Sequence, residues 1–598
     1  MPFDGITIHA LCPELENSLI NSRVDKIHQP EKDELVFSIH HPQSGNLKLL
    51  ISANARWARM HLREGKSKNP AAPSGFCMLL RKYLEGGKIK SIKQLGWERI
   101  VHITIEALND FREWRTLTLI CEFMGKHSNI ILVNPETGII VDAIKKYSHE
   151  LSSYREVLPG NAYVYPPEQS KIDVTQTDRD KFCAAIWENE NSSLFQALFN
   201  SCAGFSPFAA REFCYHALLD PYSPADQCGP SDIYKLLRII QETVRNIEDG
   251  SEPASVLYAG KKPEDVAGYS VNSHSAGGKA VYFSSASEAC TVFFTKRMEI
   301  TRLESIKNNL TRNIKDHLQK AHRKKFLQSS DLAQAEKNMS YRVWGELLTA
   351  YAHQIQKGEP RVILSDFYTS EPVEITLAPH LTPMQNAQKF FKIYNKSVKT
   401  IKNLEKLSLQ TQANIEYLDS VLLALEQAET IPQLEEIIEE LEKENFIKVK
   451  NRGNIKKKHA EPLVSKSSPR RFISAEGWEI LVGRNNRQND LLTLKTAGRH
   501  DLWLHVKNQA GTHVIIKNPS SVQDLAHIPN RTLETAAALA AYYSKASQAE
   551  KVEVDYTWRK NVHKPAGFRP GLVIYTDYRT IIANPQSIIT SGLLETEF

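Results

Sequence analysis

The chain has 598 residues, 41% of them hydrophobic and 24% charged, with a net charge of +6. One core does not extend over such a length, so three to five domains are expected, and the composition is that of ordinary globular proteins. The eight cysteines all lie before residue 291 and none forms a CxxC pair, which argues against a zinc ribbon or a disulfide framework and favours a reducing compartment.

The opening "MPFDGITIHALCPEL" lacks a basic stretch followed by an apolar one, so it does not read as a secretory signal. No segment approaches the roughly 18 unbroken apolar residues of a membrane span. A cytoplasmic protein with no membrane contact is expected.

Residues 1–174 read as mixed α/β. "DELVFSIHH", "NLKLLIS", "RIVHITIEA" and "TLTLICEFMG" are strand-like, and "FCMLLRKYLEGG" predicts a helix closed by Gly86 and Gly87. Gly96 and Trp97 predict an exposed turn ahead of a strand. The paired prolines of "YVYPPEQSKIDV" mark a boundary.

Residues 175–250 are helical in pattern. Ser206 suits the cap and Pro207 the first turn of a helix within "SCAGFSPFAAREF". This fits a helix-hairpin-helix, a unit that offers backbone amides to phosphates, and equally a plain helical hairpin. Residues 251–291 return to short strands, completing the N-terminal lobe.

Residues 292–445 carry two helical stretches with apolar residues at steps of three and four, Leu303, Ile306, Leu310, Ile314 and Leu318 in one and Ile415, Leu418, Leu422 and Leu425 in the other. The strand-like "PRVILSDFYTSEPVEITL" lies between them. A long antiparallel coiled-coil arm with a β-tip is expected. Residues 446–471 form a basic linker, expected to be disordered when free. Residues 472–598 complete a multidomain α+β protein with a compact α/β C-terminal domain.

Charge is uneven. From Phe446 onward there are 23 Lys and Arg against 13 Asp and Glu. The C-terminal end is therefore the one suited to meet a polyanion.

At its centre stands "GRNNRQND", Gly483 to Asp490, between the strand-like "WEILV" and a helix-like run. Arg484 and Arg487 offer planar donors for phosphate or guanine. Asn485, Asn486, Gln488 and Asn489 donate and accept, which suits base edges or sugar hydroxyls. Lys495 and Lys517 follow, and "DYTWRKNVHKPAGFRPG" interleaves Tyr556, Trp558 and Phe568 with Arg559, Lys560, Lys564 and Arg569. Aromatics among basic residues suit unpaired bases and phosphates. Trp503 reads as core, and His505 and His513 as structural histidines rather than metal ligands. Neither a nucleophile–base pair nor a GxxxxGK[ST] loop is present.

"GRNNRQND" with the following "DLWLH" and "HVII" resembles the RNA-binding domain of the NFACT family. "MPFDG", "PSGFCMLLRKYLEGG", "GWERIVHI" and "CEFMGKHSNIIL" resemble its N-terminal domain, in the same order. The chain is thereby identified as similar to the bacterial RqcH branch, relatives of eukaryotic NEMF once described as fibronectin-binding. The resemblance implies a ribosome quality control factor without catalytic residues, metal or cofactor. Its implied partners are the large ribosomal subunit obstructed by peptidyl-tRNA and its nascent chain, and alanyl-tRNA. It would promote untemplated C-terminal alanine tailing, with bond formation at the ribosomal peptidyl-transferase centre. By the same resemblance tRNA contacts fall to Asp4, to Glu98 and Arg99 (where the family has Asp-Arg), and to Glu122, Phe123 and Met124. Gly511-Thr512-His513 stands where many relatives have Gly-Ser-His.

Two rival readings are a formamidopyrimidine-glycosylase-like enzyme and a surface adhesin. Pro2 is followed by Phe3 instead of the glutamate such a glycosylase needs, and no terminal cysteines supply its zinc finger. The sequence shows no cell-wall motif and no repeats to favour adhesion.

Overall fold

Short apolar runs rich in β-branched residues in the first 145 residues build one nine-stranded antiparallel sheet. A computed structural model describes residues 3–65, 69–70, 72–109, 111–149, 154–167, 169–189, 191–272, 278–448, 468–519 and 524–588. The strands are β1 (Arg23–Glu31), β2 (Glu34–His41), β3 (Gly45–Ser52), β4 (Arg59–Leu62), β5 (Lys88–Gln94), β6 (Ile100–Leu108), β7 (Trp114–Glu122), β8 (Asn129–Asn134) and β9 (Ile139–Ala143). Their spatial order is β4-β3-β2-β1-β5-β6-β7-β8-β9.

Alternate residues of β6 feed two cores, one per face. Val101, Ile103 and Ile105 join the main core, whereas Ile100 joins Ile120, Ile131 and Val133 on the other side. The main core is covered by α1 (Gly5–Leu19) and α2 (Gly75–Leu84). Ser74 caps α2 by accepting from the Cys77 amide at 3.1 Å, and the chain leaves that helix through Gly86 at φ +82°.

Four helices follow: α3 (Arg179–Trp187), α4 (Leu194–Ser201), α5 (Pro207–His216) and α6 (Pro230–Glu248). They share an apolar core that includes Phe182, Leu198, Phe213 and Ile240. Ser206 caps α5, with Pro207 as its first residue. A three-stranded sheet comes next, from β10 (Ala254–Ala259), β11 (Lys262–Ala267) and β12 (Lys279–Phe283), with β10 central.

The long helix α7 (Ala286–Lys337) has 52 residues. Its start is held by Glu14 of α1, which accepts from the Ser285 hydroxyl at 2.8 Å and the Ala286 amide at 2.8 Å. The chain divides into two compact units, Met1–Ile300 and Thr301–Phe598.

In the second unit the remainder of α7 is followed by α8 (Tyr341–Ala350), a two-stranded hairpin of β13 (Arg361–Ser365) and β14 (Pro372–Thr376), then α9 (Pro383–Gln427) and α10 (Ile431–Lys443). The apolar residues spaced by three and four meet here: Ile314 packs with Leu418, Val421 and Leu425 of α9 and Leu434 and Ile437 of α10.

Residues 449–467, most of the expected linker, lie outside the described residues. Its ends are structured. Phe446 and Ile447 pack on the α9–α10 cluster, and β15 (Arg470–Ile473) begins two residues earlier than the sequence boundary. Arg470 is 4% exposed, with its guanidinium 4.2 Å from the Tyr543 ring, so a residue counted as linker charge belongs to the domain.

The C-terminal sheet comprises β15, β16 (Glu479–Val482), β17 (Leu502–Val506), β18 (Val514–Ile516), β19 (Val552–Trp558) and a last strand, Arg579–Ala583, in the order β15-β16-β18-β17-β19-last. Two short strands, β20 (Val562–His563) and β21 (Ile574–Tyr575), pair beside it, which makes the last strand β22. Between β16 and β17 lies α11 (Asn486–Leu491), and α12 (Asn530–Tyr542) covers one face through Ala536, Leu539 and Ala540.

Candidate RNA interface

In the first unit, three segments distant in sequence converge. The start of α1 meets the β5–β6 turn and the α4–α5 turn. The Gly5 amide donates to the Gly204 carbonyl at 2.9 Å. A Cβ on Gly5 would stand 2.4 Å from the Trp97 carbonyl oxygen, so no larger residue fits. Gln94 closes the turn, donating to the carbonyls of Gly5 and Glu98 at 3.0 Å each.

Asp4 is 6% exposed. Its carboxylate caps α1 by accepting from the Thr7 amide at 2.9 Å and accepts from the Ser206 hydroxyl at 2.7 Å. Burial pushes its carboxyl up, against the lowering pull of those hydrogen bonds. Asp4 was expected to touch RNA directly; the structure makes it an internal cap, because the amides at a buried helix start need an acceptor.

Trp97 is likewise inside. It is 8% exposed, donates its indole N–H to Asp173 at 2.8 Å and lies 4.5 Å from the His9 ring. The exposed turn predicted at Gly96-Trp97 therefore reduces to Gly96 alone.

Glu98 and Arg99 are half-buried. Burial lowers the Arg99 pKa, while the charges of Asp4 and Glu98 pull it back up, so the guanidinium keeps its charge beside two carboxylates. The Arg99 carbonyl accepts from the Phe123 amide at 2.8 Å, which brings the second predicted patch alongside the first.

In that patch Glu122 is fully buried. Both its oxygens are held by Arg155, at 2.8 and 2.6 Å, and the Tyr163 hydroxyl donates to it at 2.7 Å. Phe123 is also fully buried, edge-on to Phe3 at 5.1 Å, and presents no face to a base. Both were expected at the surface. Glu122 ends a strand buried on both faces, and a charge there persists only when paired. Met124 is half-buried at the edge of the second core. Lys171, which sequence reasoning did not single out, feels the charges of Glu98 and Arg99.

In the second unit the polar block is a docking device. The Gly483 amide donates to the His513 carbonyl at 3.1 Å, and a Cβ there would meet the Asn489 amide oxygen at 2.0 Å. Asn485 caps α11, accepting from the Gln488 amide at 2.9 Å. The side-chain amides of Asn485 and Asn486 donate to Glu436 at 2.7 Å and Glu440 at 3.1 Å, and Arg487 pairs with Glu439 at 3.1 Å. All three glutamates lie on α10. Gln488 accepts from the Arg484 amide at 3.0 Å, and the Arg484 side chain donates to the Ser468 carbonyl at 2.9 Å.

Asn485, Asn486 and Gln488 are at most 6% exposed. Expected to read base edges, they instead saturate one another and α10, as buried amides must. Burial of a neighbouring group follows the same logic. Glu440 is 2% exposed and accepts from Asn486 and from the Tyr417 hydroxyl at 2.9 Å; its carboxyl is pushed up to about 7, chiefly by burial.

After α11 the chain makes a π-helical turn, Leu492–Thr496. Arg559 donates to the Thr493 and Leu494 carbonyls at 2.7 and 3.2 Å, so its guanidinium closes the turn and is not presented outward. Lys517 pairs with Asp501 and Lys564 with Asp490, each at 2.5 Å. Lys495 is exposed and Lys560 half-buried. Lys560 shares a cavity of about 370 Å3 with Tyr556, Trp558 and Arg579. Arg579 faces Tyr556 across the β19–β22 pair, a register that no local sequence signal announces.

His513 is buried, with Nδ1 2.7 Å from the Thr493 hydroxyl, and burial lowers its pKa to about 3. It is a neutral structural histidine. Among the described residues no group of three or more His, Cys, Asp or Glu is placed to hold a metal ion, and no helix is long and apolar enough to cross a membrane.

Comparison with known proteins gives concordant matches. The model of the NFACT N-terminal and middle domains matches residues 4–460, and that of the NFACT protein RNA binding domain matches residues 469–577. The Rqc2 homolog RqcH of Streptococcus suis is 34% identical over 589 residues, 98% of each chain. Its namesake in Bacillus subtilis is 33% identical over 590 residues, again 98% of each. A solved N-terminal part of the fibronectin/fibrinogen-binding protein from Streptococcus suis is 28% identical and covers 49% of this chain and 99% of its own, with a TM-score of 0.40.

The protein is thus a mixed α/β multidomain chain with an RNA-binding domain at its C-terminal end. It belongs to the NFACT family, in the RqcH branch of ribosome quality control factors.

Proposed function

We propose that the protein binds large ribosomal subunits obstructed by peptidyl-tRNA, brings alanyl-tRNA and promotes untemplated alanine addition to the stalled chain. The new peptide bonds form at the ribosomal peptidyl-transferase centre, and this chain contributes binding and positioning. One observation carries the reading: Arg99 stands half-buried within the electrostatic reach of Asp4 and Glu98, on the β5–β6 turn that meets the α1 start and the α4–α5 turn. A guanidinium so flanked keeps its charge and a fixed direction, and makes a bidentate contact with a base edge or phosphate.

In this reading Glu98, Arg99 and Met124 touch tRNA. Asp4, Glu122 and Phe123 hold them in place from inside. In the RNA-binding domain Lys495, Lys560 and Arg579 meet phosphates, with Tyr556 and Trp558 as stacking surfaces. Arg484 and Arg487 approach the phosphates less closely, and Lys517, Arg559 and Lys564 shape the surface behind them.

The test is a pull-down of Arg99→Ala from cells with stalled ribosomes, measuring subunit RNA and tRNA separately and scoring alanine tails on a stalled reporter. Subunit RNA is expected to remain while tRNA falls by about ten- to a hundredfold and tails vanish. Normal tailing by a folded Arg99→Ala protein overturns the tRNA role. Wild-type protein confined to the soluble fractions of a gradient after stalling overturns the ribosome role.

A further inference from the structure

The second unit contains a cleft of about 940 Å3 between α9 and the C-terminal sheet. Its size is that of small-ligand pockets, about 300–1,000 Å3. One wall is aromatic: Trp503 and His505 stack with ring centroids 5.7 Å apart and planes 8° from parallel, and the Tyr575 ring lies 4.8 Å from that of Trp503. The facing wall, from α9, carries Glu416, Asp419 and Ser420. Asn486 lines the cleft from α11.

Two features show that the space is built. Trp503 is 0% exposed, and its indole N–H has no acceptor among the described residues, although it belongs to the cleft wall. A buried donor left without an acceptor is rare and costly. In addition, Gly571 sits at φ +80°, and a Cβ there would meet the Asn486 amide oxygen at 2.6 Å, so only a glycine lets these two wall residues approach so closely.

The walls differ in what they accept. Aromatic rings suit the faces and edges of a base. Glu416 and Asp419 repel a phosphodiester backbone laid along the cleft, yet they accept hydrogen bonds from ribose hydroxyls and exocyclic amines. Lys545 is the cation in the lining, 63% exposed and 3.3 Å from Asp419, where an incoming phosphate competes for it.

We propose that this cleft takes a single unpaired ribonucleotide, base against His505 and Tyr575 with Trp503 packed behind them, ribose on Glu416 and Asp419, and phosphate at Lys545. The proposal rests on the RNA-binding reading of the domain and names the ligand and its seat. It also gives the acidic residues of α9 a role beside the basic C-terminal domain: they select an inserted nucleotide over a strand.

The test uses full-length protein and three fluorescent pentanucleotides: all-ribo, all-deoxy, and ribo with a central abasic site. Ser420→Trp fills the cleft from α9, since the Ser420 hydroxyl only donates to the Tyr417 carbonyl. Glu416→Ala with Asp419→Ala removes the carboxylates without adding bulk, and thermal melts confirm that both variants fold. Wild type is expected to prefer the ribo strand to the deoxy and abasic strands by about tenfold. Ser420→Trp loses both preferences, and the carboxylate variant loses the ribo–deoxy one. Equal affinities for all three strands in wild type, or unchanged preferences in Ser420→Trp, overturn the proposal. So does an arginine-bearing peptide that binds wild type and not Ser420→Trp while RNA binding is indifferent to the plug. Subunit co-sedimentation of wild type, measured in parallel, keeps the ribosome reading separable from the outcome here.

Discussion

Asn486 donates its side-chain amide to Glu440 at 3.1 Å inside the second unit, and the same carboxyl oxygen accepts from Tyr417 at 2.9 Å. One buried acid thereby ties α11, α10 and α9 together.

That acid makes stability depend on pH. The Glu440 carboxyl, ordinarily near 4.5, is pushed up to about 7, mainly by burial. A group whose folded pKa is raised stabilises the fold when protonated. Its contribution is complete below about 4.5 and lost as pH rises through about 7. The shift corresponds to about 3 kcal/mol at most. Glu440→Gln keeps the shape without the charge, so between pH 5 and 8 its urea midpoint should fall less than that of wild type. Parallel pH profiles for the two proteins would refute this assignment.

The Glu122–Arg155 pair should behave as a buried ion pair. Glu122→Ala removes the carboxylate to which both Arg155 and Tyr163 donate and is expected to cost about 3–5 kcal/mol. Arg99→Ala, half-buried, should cost much less. Thermal melts of both, with tRNA occupancy, separate support from contact. Occupancy lost in Glu122→Ala without any loss of stability would make Glu122 a contact residue after all.

Gly5→Ala places a methyl group against the Trp97 carbonyl. Relief requires moving the turn that carries Arg99. A loss of about 1–3 kcal/mol is expected, as for other overpacked sites, together with reduced tRNA recovery. A variant as stable and as active as wild type would show the three segments to be less tightly joined.

Salt dependence should separate two classes of cation. Lys495→Ala should reduce the magnitude of the log–log salt slope of RNA binding by about 0.7–0.9, the value of one lost phosphate contact. Arg484→Ala and Arg487→Ala, each alone, should change the slope less, because those side chains bond to Ser468 and Glu439. Equal slope changes in the three variants would count against the distinction.

Strand and cap positions were legible in the sequence because their causes are local. "WEILV", "DLWLHV" and "THVII" are short apolar runs, as strands buried on both faces must be, and Ser206-Pro207 is a helix start on chemistry alone. The roles of polar site residues were not legible, because their partners are remote. Glu122 is claimed by Arg155, 33 positions on, and Trp97 by Asp173, 76 positions on. The "GRNNRQND" block looked like a reader of RNA for the reason that makes it a docking element. Side-chain amides satisfy whichever donors and acceptors surround them, and only the fold reveals that α10 is the partner.

The hydrogen bonds that α1 makes through its cap Asp4 and through Glu14 bear on how the first unit is made. Asp4 waits for Ser206, and Glu14 waits for Ser285 and Ala286. The long-range contacts of α1 therefore cannot be completed until Ala286 has been synthesised. At about 5–20 residues per second that delay is on the order of tens of seconds. Throughout it the apolar face of α1, with Leu11, Leu15 and Leu19, lacks its final neighbours. Synthesis arrested before residue 286 would leave a nascent chain with an unfinished, aggregation-prone core, so this protein's own production is exposed to the accident its proposed work repairs.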